Sequence, residues 1–157
     1  MTGPRVLVIG YGNPARGDDG LGPALAERIE RLALPEVSVD ADYQLSVDHA
    51  ALAAEHDVVV FADATTQGDA PFTFTPVTAT TDRSFSTHAA TPGQVMGLAA
   101  TCFGATPRAY VLGIRARRLG DFDETLSAEA RAGLEAAVTH VTGFIEALRG
   151  ESDDARR

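Results

Sequence analysis

Short runs rich in β-branched residues, bounded by Gly, Pro or Asp, alternate along this chain with stretches whose apolar residues recur at helical spacing. Arg5 to Ile9, Val37 to Asp40, Val58 to Ala62 and Ala109 to Ile114 have the pattern of buried strands. Between them Leu21, Leu25, Ile29 and Leu32 line one helical face, then Val47, Ala50, Ala51 and Ala54, then Val95, Leu98, Ala99 and Cys102. Strand-helix alternation requires right-handed crossovers, and so predicts a mostly parallel sheet with helices on both faces. Phe72 to Thr75 alternates apolar with polar between Pro71 and Pro76, the pattern of an edge strand and compatible with antiparallel pairing. A last helix is predicted from an N-cap at Ser127, with Leu134, Val138, Val141, Ile145 and Leu148 on its buried face and Gly150 as its stop. Residues 1–150 are expected to form a single domain, and Glu151 to Arg157 a charged, disordered tail.

Composition narrows the function classes. The 157 residues suit one core, and 45% hydrophobic with 22% charged residues is ordinary for a globular protein. A net charge of -9 argues against nucleic acid, whose binding draws on clustered Lys and Arg. Arg115, Arg117 and Arg118 form the only basic knot and are expected in a solvated loop. No apolar run approaches the length of a membrane span, and Met1 to Arg5 leads into a strand without a signal-peptide pattern, so a cytoplasmic location without membrane attachment is expected. The single Cys102 allows no internal disulfide; its place on an apolar helical face predicts a buried, inert thiol.

Open α/β sheets bind ligands beyond the carboxyl ends of their strands. After the first strand come Gly10, Gly12, Asn13, Asp18 and Asp19; after the third comes Asp63; and His88 stands in the loop before the third helix. In the predicted sheet Asp19, Asp63 and His88 converge at one rim, an O/N donor set suited to Ni, Zn or Fe more than to Mg. Each also has a structural reading. Asp18 or Asp19 suits a turn or helix cap, Asp63 could satisfy loop amides, and a lone loop His88 is commonly just exposed. Asp18 fits the capping role better, while His49, His56 and His140 are expected to face solvent. No G-x-S-x-G elbow and no H-E-x-x-H helix is present.

Gly10-Tyr11-Gly12-Asn13-Pro14-Ala15 also matches the dinucleotide pattern G-x-G-x-x-A, which keeps a Rossmann-like oxidoreductase open as an alternative. Against it, Pro14, Gly17 and Gly20 delay the helix whose N-terminus should meet the pyrophosphate. Two carboxylates stand where that anion would sit, and like charges ~4 Å apart repel by about 4 kcal/mol at an effective dielectric near 20.

GYGNPARGDDGLGP near the N-terminus, YQLSVDHA at 43–50, VVVFADAT at 58–65, STHAATPG at 86–93 and LGDFDETLS at 119–127 together resemble the nickel-iron hydrogenase maturation endopeptidases, in order and over nearly the whole chain. That resemblance implies a three-layer α/β/α sandwich around a mixed, mostly parallel sheet of about five strands. It implies removal of a C-terminal extension from a hydrogenase large-subunit precursor after nickel insertion. Carried over position by position, it makes Asp19, Asp63 and His88 the metal-binding and catalytic triad; many relatives have Glu at the first position, one methylene longer than Asp19. The nickel is expected to arrive with the substrate, leaving the free enzyme metal-empty, with the nickel-loaded precursor as the partner of a monomeric protease. Gly10, Gly12, Asn13 and Gln44 are candidates for holding the substrate tail from the same rim. A non-hydrolytic nickel-binding maturation factor is the remaining alternative.

Overall fold

The computed structural model describes residues 3–80, 90–117, 119 and 125–154. Its elements run β1 (Val6–Tyr11), α1 (Leu21–Arg31), β2 (Val37–Asp42), α2 (Asp48–Ala54), β3 (Val58–Thr65), β4 (Phe72–Pro76), α3 (Pro92–Phe103), β5 (Arg108–Arg115) and α4 (Ala128–Asp154). The strands form one five-stranded sheet in the order β2-β1-β3-β5-β4. All neighbours pair parallel except β4, which lies antiparallel to β5 at the edge, with Phe72 opposite Ile114.

Period-two alternation sorts the strand side chains into two cores. Val6, Val8, Val58, Val60 and Ala62 meet α1 and α4 on one face, where Leu25, Ile29, Val141 and Ile145 are buried. Leu7, Ile9, Val59 and Phe61 meet α2 and α3 on the other, with Ala50, Ala53, Val95 and Ala99. The result is the expected three-layer α/β/α sandwich. Close layering depends on glycine: a Cβ on Gly10 of β1 would lie 2.0 Å from the Gly22 carbonyl oxygen of α1.

Several expected faces are shifted. Leu32 is an exposed cap beyond α1, 47% accessible, because the helix has already ended at Arg31. In α2 the buried line is His49, Ala50 and Ala53, while Val47 and Ala51 are exposed; both His49 nitrogens find partners, so an imidazole can take the inner position. Cys102 is exposed, because the buried part of α3 ends at Ala99 and its last turn, Phe103 included, stands clear of the core. Gly150 does not stop α4, which continues to Asp154. On α4, His140 packs against the rings of Phe72 and Phe74 instead of facing solvent. Its buried Nε2 has no hydrogen-bond partner among the described residues. The arginine knot divides: Arg115 ends β5 and donates to the Gly68 carbonyl, Arg117 is exposed, and Arg118 lies outside the described residues.

Candidate functional site

The first loop folds back on itself instead of opening toward a ligand. Gly12 takes a φ of 140°, and a Cβ there would lie 2.1 Å from the Asp19 carbonyl oxygen. The Gly12 amide donates to Asp42 O at 3.0 Å, the Asn13 amide to Asp19 Oδ2 at 2.9 Å, and the Ala15 amide to Asn13 Oδ1 at 3.0 Å. Arg16 N donates to Asn13 O at 3.0 Å. A pyrophosphate cradle needs those amides aimed outward at a helix start. Here they are internally engaged, and α1 begins only after a short 3₁₀ turn at Asp18–Gly20. The dinucleotide reading loses its structural basis.

What the loop does present is Asp19, half-buried and fixed by the Asn13 amide, facing Asp63 at the rim end of β3. Asp63 and Tyr11 stand on neighbouring strands and, by strand alternation, on the α2/α3 face. Asp63 Oδ1 accepts its neighbour's amide, from Ala64 at 2.8 Å, and the Tyr11 hydroxyl donates to the same carboxylate. Burial pushes the Asp63 carboxyl up to about 6; the Ala64 amide opposes this, the Asp19 charge adds to it, and the Tyr11 hydrogen bond opposes it. The Tyr11 phenol is raised above its ordinary range by burial first, then by the adjacent Asp63 charge and hydrogen bond. Two carboxylates near enough for the charge of one to raise the other, each tied by a backbone amide, make a site whose charge a cation would relieve. No thiolate stands among these groups, which suits weak resident metal affinity.

His88 lies outside the described residues; the described chain resumes at Ala90, whose amide donates to Leu45 O at 3.2 Å, ahead of the capping box formed by Thr91 and Gln94 at the start of α3. Gly10 sits within the sheet beneath α1, Gly12 and Asn13 shape the loop around Asp19, and Gln44 is exposed in the connection after β2.

Asp18, next to Asp19, points the other way and is buried. Its Oδ2 accepts from Arg117 N at 3.0 Å and Ser127 Oγ at 2.7 Å, and its Oδ1 from Ser127 N at 2.8 Å. Ser127 in turn caps α4 by accepting from Ala130 N at 3.1 Å. Asp18 is therefore structural, though as a tie between distant segments and not as a cap of its own helix.

A second acidic group, Asp40, Asp42 and His49, brings its ligand atoms within 4.8 Å of one another. The hydrogen bonds argue against a metal there. His49 Nδ1 accepts the Ser46 amide at 2.9 Å, so Nε2 carries the proton and donates to Asp40 Oδ2 at 3.0 Å. His49 locks α2 to the end of β2. Sequence reasoning missed both this lock and Tyr11; the signal for Tyr11 was its place two residues after Ile9 on one strand face.

No family model matches the chain, and no curated protein matches it in sequence. Among solved structures, the chain is similar to the NiFe hydrogenase maturation protease HycI from Thermococcus kodakarensis, with a TM-score of 0.71 and 23% identity over 92% of this chain and 94% of that one. It is similar to a hydrogenase 2 maturation peptidase from a Thaumarchaeota archaeon at TM-score 0.68 and 24% identity, over 90% and 98% of the two chains. The hydrogenase maturating endopeptidase HybD from E. coli gives 0.68 and 19% identity, over 90% and 92%. At these identities the likeness establishes the architecture: this chain has the fold of the hydrogenase maturation proteases.

Proposed function

We propose that this protein is an endopeptidase that removes the C-terminal extension of a NiFe hydrogenase large-subunit precursor, reading the nickel already inserted in that substrate through Asp19, Asp63 and His88. The observation that carries the proposal is the convergence of Asp19 and Asp63 at one rim of a sheet whose fold neighbours are proteases of this class. Peptide hydrolysis needs a polarised carbonyl and a water from which a proton is taken. The substrate's nickel supplies Lewis acidity when bound. The chain's own carboxylates supply oxygen ligands and the proton acceptor, and the amides of Asn13 and Ala64 keep those carboxylates from turning away. Because a site of few ligands and no thiolate holds metal weakly, an incoming precursor that brings its own ligands completes the sphere. Cleavage then follows nickel insertion. The protease works as a soluble monomer in the cytoplasm; no described helix is long and apolar enough to cross a membrane.

The test is to mix the protein with nickel-loaded and nickel-free precursors and follow the mass of the large subunit. Loss of the tail from the loaded form alone, abolished by Asp19→Ala or His88→Ala, is expected. Equal cleavage of both forms contradicts the nickel readout, and tight stoichiometric nickel binding with an uncut precursor favours a non-hydrolytic maturation factor.

A further inference from the structure

We infer that the outer edge of β2, with the groove at its end, is the docking track for an extended, Lys- or Arg-bearing segment of the precursor; this rests on the peptidase reading above. β2 terminates the sheet, so one row of its backbone amides and carbonyls faces away from β1. Ser38, Ala41 and Asp42 are exposed along it. The opposite edge is guarded: Pro71 precedes β4 and Pro76 ends it, and proline has no amide to donate to an added strand. No proline interrupts Val37 to Asp42. Past Val37, whose amide donates to Leu34 O at 3.4 Å, an edge of this kind is the template on which extended peptides add as a further strand.

The edge also leads to the site. β2 runs parallel to β1 toward the rim of Asp19 and Asp63, and at its end Ala41, Asp42 and Tyr43 join Gly12, Pro14 and Pro23 around a cavity of about 210 Å³. Gly12 is backed directly by Asp19. A strand laid parallel to β2 therefore carries its following residues toward this rim.

Charge selects the occupant. The Asp42 side chain is 50% exposed and that of Asp40 37%. His49, which faces both, already donates to Asp40. A basic side chain can lay its aliphatic stem along Pro14, Pro23 and the exposed Tyr43 ring while its head meets Asp42. A second copy pairing through the same edge would instead oppose two strips carrying Glu36, Asp40 and Asp42, in a chain of net charge -9.

The experiment combines amide hydrogen exchange of the full-length protein, with and without nickel-loaded precursor, and cleavage kinetics of Asp42→Asn and Asp42→Lys. Slowed exchange over Val37 to Tyr43 is expected on adding precursor. Asp42→Lys should raise KM about tenfold or more and Asp42→Asn about threefold, with kcat within about twofold of the parent. Unchanged β2 exchange while the precursor is bound and cut overturns the docking track and leaves the peptidase reading intact. Protection of β2 that grows with the protein's own concentration also overturns it, in favour of a second copy. A precursor neither bound nor cut overturns both readings.

Discussion

A carboxyl group held at about 6 in the folded protein, against 3.8 for an ordinary one, binds its proton more readily folded than unfolded. For Asp63 the stabilising contribution is therefore fully present below pH about 4 and is lost as pH rises through about 6. The shift corresponds to about 2 to 3 kcal/mol withheld at neutral pH. Asp63→Asn, which keeps the shape and removes the charge, should accordingly raise Tm at pH 7 to 8, with the gain shrinking to nothing near pH 4 while peptidase activity is lost. Thermal melts across that range check it; a gain independent of pH would mean that the charge is not the source. Asp18 is the opposite case, a buried carboxylate that accepts from Arg117 N, Ser127 N and Ser127 Oγ. Asp18→Ala leaves those donors without their acceptor and should destabilise by about 2 to 4 kcal/mol, and Asp18→Asn by less, since one amide oxygen can still accept. Denaturant titration measures both.

At the level of elements, the β1 to α1 connection is the most constrained part of the chain. Gly10→Ala drives a methyl into the Gly22 carbonyl and Ala26, so α1 must lift from the sheet; the expected loss is about 3 kcal/mol or more, read from the urea midpoint. Most of this layer was legible in the sequence, because Val6 to Ile9 and Val58 to Ala62 could be nothing but buried strands and their spacing leaves room only for crossover helices. Asp63 was legible for the same reason, as a polar residue directly following the apolar run of such a strand, and Asp19 as one of an acidic pair in the loop beyond β1. The faces of short helices were not. In α2 an alanine-rich turn offers several equally apolar lines, and the one chosen buries His49 because Asp40 and the Ser46 amide complete its hydrogen bonds, a fact of tertiary placement. Cys102 was misplaced because periodicity marks a face without marking where the underlying core ends. His140 was misplaced because β4, more than sixty positions away in sequence, supplies the rings that cover it.

Taken whole, the molecule is an acidic three-layer sandwich with its candidate site at one rim. A net charge of -9 on 157 residues carries self-repulsion that salt screens, so Tm should rise by a few degrees between low and moderate sodium chloride; a fall would show that surface ion pairs such as Arg28 with Glu135 outweigh it. The contact between Asp18 and Ser127 spans 109 positions of sequence. A loop that must wait for such a distant partner is among the last parts of a chain to become ordered, since its closure entropy is met only when the far segment has docked. The Asn13 amide holds Asp19 locally, and the docking of α4 through Asp18 fixes the loop that carries it. The candidate site is thus completed by the docking of α4, late in folding.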